Sequence, residues 1–161
     1  MPKIHNVNNL PDEYVEDPLF ESGLKSKHLG AAAGSEQIYI NIDYVKPGAK
    51  SARYHSHSAQ EEFFLVLSGS GTLRFNGKTM PVKQGDFISK PAGKGLTHQF
   101  INDGKDILEI LDCGTREEND IITYPDENMV LDKKTDTVFS IGNKKAEDFS
   151  SDPNSQGTSN S

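Results

Sequence analysis

From Ile38 the chain alternates: Ile38, Ile40, Ile42 and Tyr44 interleave with Tyr39, Asn41, Asp43 and Val45. This is the period-2 signature of a strand, and Pro47-Gly48 ends it in a turn. The polar face, Tyr39 and Asn41 above all, is expected to be solvated, with a cavity-facing orientation as the alternative. A second apolar run, Glu62 to Leu67, stops at Gly69-Ser70-Gly71. Thr72 to Phe75 then meets Asn76-Gly77, a strong hairpin signal, and Lys78 to Val82 returns. Further short strands are expected at Phe87 to Ser89, Thr97 to Asn102 and Ile107 to Asp112. Between them lie the turn Gln84-Gly85-Asp86, the Gly-rich loop Pro91 to Gly95 and the turn Asn102-Asp103-Gly104. Short strands between tight turns at regular spacing predict an all-β sandwich or barrel, and closure removes exposed edges.

The two ends read differently. Residues 1–35 lack sustained periodicity and are broken by Pro2, Pro11 and Pro18, which suggests an N-terminal arm that wraps around or pairs with the body. The barrel core is assigned to 36–113. An extension, 114–143, carries two apolar stretches, Ile121 to Asp126 and Val138 to Ile141, expected as peripheral strands. Residues 144–161 are dominated by Ser, Asn, Asp, Gly and Gln, which bury too little apolar surface to offset their ordering entropy. A disordered tail is expected there.

Composition narrows the function classes. The chain of 161 residues has 34% hydrophobic residues and a formal charge of −7, which disfavours nucleic acid and anionic membranes as partners. No apolar run approaches the length of a membrane-crossing helix, and no basic-then-apolar leader pattern is seen. The single cysteine, Cys113, excludes an intramolecular disulfide and reads as a small buried residue. A cytoplasmic location is the default expectation.

The chemistry concentrates at His55-Ser56-His57-Ser58-Ala59-Gln60-Glu61-Glu62. Histidines at i and i+2 face one side of an extended strand, and a carboxylate follows after a short turn. Glu62 shares parity with Phe64 and Val66, so it is preferred over Glu61, which reads as part of the turn.

The stretch Gly48…His55-Ser56-His57-(four residues)-Glu62-(six residues)-Gly69 resembles the first motif of the cupin superfamily. Gly85-(five residues)-Pro91-Ala92-Gly93…His98-(three residues)-Asn102 resembles its second. Two spacings depart from the family pattern: six residues separate Gly48 from His55, and Pro-x-Gly ends further from His98 than usual. Both departures fall in turns. The resemblance implies a cupin-type double-stranded β-helix, a small antiparallel β-barrel or jelly roll. It also implies metal ligands His55, His57, Glu62 and His98. Three imidazoles and one carboxylate suit one transition-metal ion (Mn, Fe, Co, Ni, Cu or Zn) better than Ca or Mg.

The reaction is not fixed by the fold. One expectation is an enzyme using the metal as a Lewis acid on a small oxygenated metabolite, in the manner of sugar or sugar-phosphate isomerases. A cupin dioxygenase and a non-catalytic metal- or metabolite-binding module are the alternatives. No catalytic residue beyond the ligands is assigned. Arg53, Tyr54 and Lys90 read as ordinary surface residues, with steering of an anionic substrate as the alternative. Lys94 is a further nearby cation. His5 and His28 read as surface histidines, and Asn102 as a turn former. A homodimer formed by packing barrel faces is expected from the resemblance.

Overall fold

The computed structural model describes residues 3–20, 23–142 and 149–154. In chain order the elements are β1 (Val15–Phe20), β2 (Leu24–His28), α1 (Leu29–Ala33), β3 (Ile38–Val45), β4 (Ser56–His57), β5 (Glu62–Ser68) and β6 (Ser70–Phe75). They continue with β7 (Lys78–Lys83), β8 (Phe87–Lys90), β9 (His98–Ile101), β10 (Leu108–Thr115), β11 (Ile121–Tyr124), β12 (Met129–Asp132) and β13 (Thr137–Ser140). Among the described residues the strands form three antiparallel sheets, ordered β1-β2-β3-β10-β5-β8, β13-β12-β11-β4 and β7-β6-β9. Backbone bridges between His55 and His98, and between Lys50 and Ile101, tie the sheets into a barrel.

Local sequence explains the register. Asn76 and Gly77 both take positive φ, 46° and 79°, so the β6–β7 hairpin turns within two residues. The arm supplies two strands that extend the large sheet through the β2–β3 pair, with Leu24 opposite Val45 and Ser26 opposite Asp43. In the extension, β11 to β13 form a meander, and β11 pairs with β4. Of the expected tail, 144–148 and 155–161 lie outside the described residues. Within 149–154, Asn154 exchanges hydrogen bonds with the Lys50 backbone, and Phe149 lies 5.0 Å from Tyr124, ring to ring.

The barrel interior is layered because its strands run in register from polar to apolar. Inward residues are Glu62, Phe64 and Val66 on β5, Asp112, Ile110 and Leu108 on β10, and His98 and Phe100 on β9. Leu24, Val45, Leu73 and Val82 complete the apolar end. Each large apolar side chain withdrawn from water contributes roughly 1.5–3 kcal/mol, which offsets the cost of the polar layer above it.

On β3 the observed faces reverse the expectation. Tyr39 and Asp43 point into the barrel, while Ile40 lies under α1, with Gly30 packed on its backbone. The isoleucine face is thus outside and covered in part by the arm. The polar face is inside because a cavity there accepts it.

Candidate metal site

The four residues singled out in the sequence converge at the polar end of the barrel. His55 and His98 are joined by reciprocal backbone hydrogen bonds, 3.2 Å from His55 N–H to the His98 carbonyl and 2.9 Å in return. Pairing of β4 with β11 seats His57 opposite Ile122, and Glu62 opens β5. Ligand atoms of His55, Glu62 and His98 lie within 4.8 Å of one another. The Nε2 of His57 is 3.1 Å from Nε2 of His55 and 3.3 Å from a Glu62 oxygen.

Hydrogen bonds set the tautomers of two histidines. Nδ1–H of His55 donates to the Arg53 carbonyl at 2.6 Å, and Nδ1–H of His57 donates to Asp120 at 2.5 Å. A neutral imidazole with its proton on Nδ1 presents a lone pair at Nε2. Two such lone pairs 3.1 Å apart repel unless a proton or a metal ion stands between them, and the same nitrogens can serve either. The donor set and its orientation therefore fit a metal ion. Asp120, wholly buried, also accepts from the backbone N–H of Ala59. It is an outer partner of the kind that orients ligating histidines, and sequence reading missed it.

Electrostatics sharpen the site. Burial pushes His55 down to about 4 and holds His98 well below the ordinary histidine range, with Lys90 adding to both. For His57 burial opposes charging, but the bonds to Asp120 and Glu62 prevail and raise it. Burial likewise opposes ionisation of Glu62, yet His57, His98 and Lys90 hold it far below the usual carboxylate range. Glu62 also accepts from Tyr39 at 3.2 Å and from Gln60 at 3.3 Å.

A cavity of about 270 Å³ opens beside these groups, lined by Tyr39, Asp43, His55, Glu62, His98 and Asp112 among others. Burial raises Asp43 to about 6 and raises Asp112 further, since Asp43 lies close to it. Ser26 donates to Asp43 at 2.5 Å, and Tyr39 donates to Asp112 at 2.8 Å. Neither carboxyl was anticipated as a site residue.

Comparison with known proteins decides the family. The cupin-domain family profile matches residues 42–114, a span holding all four converging residues. A protein from Acidithiobacillus ferrooxidans, provisionally described as a sugar phosphate isomerase, is 30% identical with a TM-score of 0.71, over 77% of this chain and 80% of its own. The chain is a cupin. A sugar phosphate isomerase from Silicibacter pomeroyi is 28% identical, with a TM-score of 0.67 over 83% of this cupin and 84% of that chain. An oxalate-binding protein of Thermotoga maritima is 34% identical over 65 residues, and this cupin spans about half of it, 52% of its length.

Other residues fall in different places. Lys90, expected at the surface, is 1% exposed: it sits opposite Glu62 in the β5–β8 pair and forms an ion pair with it. Tyr54 is buried as well, its hydroxyl accepting from Gly77 N–H beneath Arg74. Arg53 is half-buried against Glu127 and the Ser150 carbonyl. Lys94 and His5 are exposed. His28 hydrogen-bonds Asn41 at 3.0 Å, and its Nε2 lies 3.0 Å from a Glu16 oxygen, away from the converging ligands. Asn102 is fully buried and closes the turn, accepting from Gly104 N–H and donating to the Val45 and Asp106 carbonyls. Cys113 is half-buried rather than buried. Among the described residues no helix is long and apolar enough to cross a membrane.

Proposed function

We propose that this cupin holds one transition-metal ion through His55, His57, Glu62 and His98 and interconverts a small hydroxy-carbonyl compound, a sugar or sugar phosphate. The observation that carries the reading is that the cavity holds acid and base groups other than the ligands. A module that only bound a metal would have no need of Asp43 and Asp112 at its side.

When bound, the metal supplies Lewis-acid polarisation of a carbonyl. Isomerisation then needs a base to take a proton from the carbon beside the carbonyl and an acid to return one to the neighbouring atom. Asp43, raised by burial to about 6, is mostly ionised at neutral pH and serves as the base. Asp112, held protonated by burial and by Asp43, serves as the acid, with Tyr39 fixing its orientation. Neighbouring carboxyls pushed apart in this way divide the two roles. The likeness to two proteins described as sugar phosphate isomerases supports the same reading.

The test is exchange in heavy water. Metal-reconstituted protein incubated with aldoses, ketoses and their phosphates is expected to place deuterium on the carbon beside the carbonyl, seen by NMR. Oxygen uptake without exchange would replace this reading with the dioxygenase one. Tight binding of small carboxylates with neither would favour a binding module, the reading that the oxalate-binding relative supports.

A homodimer is part of the proposal. Across the outer face of the large sheet, Phe87 stands opposite Leu65, and Leu65 opposite Leu111. Phe87 is 67% exposed and lies 5.9 Å from Phe63, ring to ring. A second copy packed on this row would bury it, and Phe87→Glu should then shift the sedimenting species to monomer. A monomeric wild-type protein would end the idea.

A further inference from the structure

Lys90 is the group that the metal reading leaves without a role. Its ammonium pairs with one oxygen of Glu62 and lies 2.8 Å from Nδ1 of His98. An ammonium has three donors and no acceptor, so Lys90 donates and the imidazole nitrogen accepts. A neutral imidazole accepting at Nδ1 carries its hydrogen on Nε2. His98 therefore has no lone pair to offer while Lys90 stays: one nitrogen is engaged and the other is protonated. This is the reverse of His55 and His57, whose Nδ1–H groups are held by acceptors so that Nε2 is open. Glu62 is compromised too, because the oxygen nearest His98, 3.9 Å from its Nδ1, is the one that Lys90 takes.

We propose that Lys90 is an internal cation seated on two of the metal's ligands, and that a metal ion binds by displacing its ammonium from Glu62 and His98. The inference rests on the metal-binding reading above. A charge released in a buried cavity needs a new counter-ion, and Asp120, which is held ionised, already acts on Lys90 electrostatically.

The competition is measurable with the metal alone. Manganese and zinc titrations of the wild-type protein and Lys90→Met, at one pH, should show the variant binding about tenfold more tightly or better, since no ammonium has to leave a contact a few ångströms long. One ion per chain with equal affinity in both proteins would overturn the role of Lys90 while leaving the metal site standing. No binding by either would overturn both. Loss of a positive charge tightens binding even without displacement, and the titration depends on Lys90→Met folding. A crystal structure of the metal-loaded wild-type protein covers both cases. Lys90 Nζ should have left His98 Nδ1, and a loaded site with that hydrogen bond intact would refute the displacement.

Discussion

Asp120 and His57 stand 2.5 Å apart although 63 residues separate them in the chain. Pairing of β11 with β4 brings them together, so the extension is what fixes the ring of a candidate ligand. Burial opposes ionisation of Asp120, but His57 and the Ala59 and Gln60 N–H groups hold its pKa far below the usual carboxylate range. Asp120→Asn can turn its amide to donate to Nδ1, which would leave His57 in the wrong tautomer. A metal-affinity loss of about 10–100-fold is expected from removing such an outer partner, with little change in melting temperature of the metal-free protein beyond one lost hydrogen bond. Titration of zinc into both proteins, alongside thermal melts, checks this. Unchanged affinity would mean that His57 is not a ligand.

Asp43 makes a prediction about pH. Burial lifts its pKa in the folded protein to about 6, above the unfolded value of 3.8. Between those values the folded protein binds more protons, so this group makes stability fall as pH rises, and the penalty is complete above about 6. The penalty is at most on the order of 3 kcal/mol for a shift from 3.8 to about 6. His55 runs the other way: its folded value near 4 lies below the unfolded 6.5, so its contribution is full above 6.5 and lost as pH falls through 4. Asp43→Asn isolates the first effect. The gain in melting temperature over wild type should be larger at pH 7 than at pH 4. Equal differences at the two values would show that Asp43 is not strained by burial.

Much of the architecture was readable because strand alternation and turn residues are local signals. Glu62 could be told from Glu61 by its parity with Phe64 and Val66, and the hairpin followed from Asn76-Gly77. The same alternation separated the two faces of β3 without saying which lay inside, since an apolar outer face covered by α1 looks like a core face. That ambiguity hid Tyr39 and Asp43. Asp112 shows a further difficulty: it continues the inward row of Leu108 and Ile110 but, being polar, reads as the end of a strand. Lys90 and Asp120 depend on pairings between distant strands, β5 with β8 and β4 with β11, for which the sequence carries no local mark.

Gly114 offers a way to move Tyr39 without altering its side chain. On β10 it lies opposite Tyr39 on one side and Glu62 on the other. A methyl group there would fall 2.4 Å from the Glu61 carbonyl oxygen, 2.8 Å from Cε1 of Tyr39 and 3.0 Å from its hydroxyl. The backbone oxygen has little room to yield, so part of the strain must go into the Tyr39 ring and break its bonds to Asp112 and Glu62. Gly114→Ala is expected to cost about 1–3 kcal/mol in chemical denaturation, the usual range for overpacking. Introducing it into Tyr39→Ala separates the two sources, because contacting residues couple and independent ones add. If Tyr39 takes up strain, the cost of Gly114→Ala should shrink in that background. The same cost in both would place the strain on the Glu61 backbone alone and leave Tyr39 where it is.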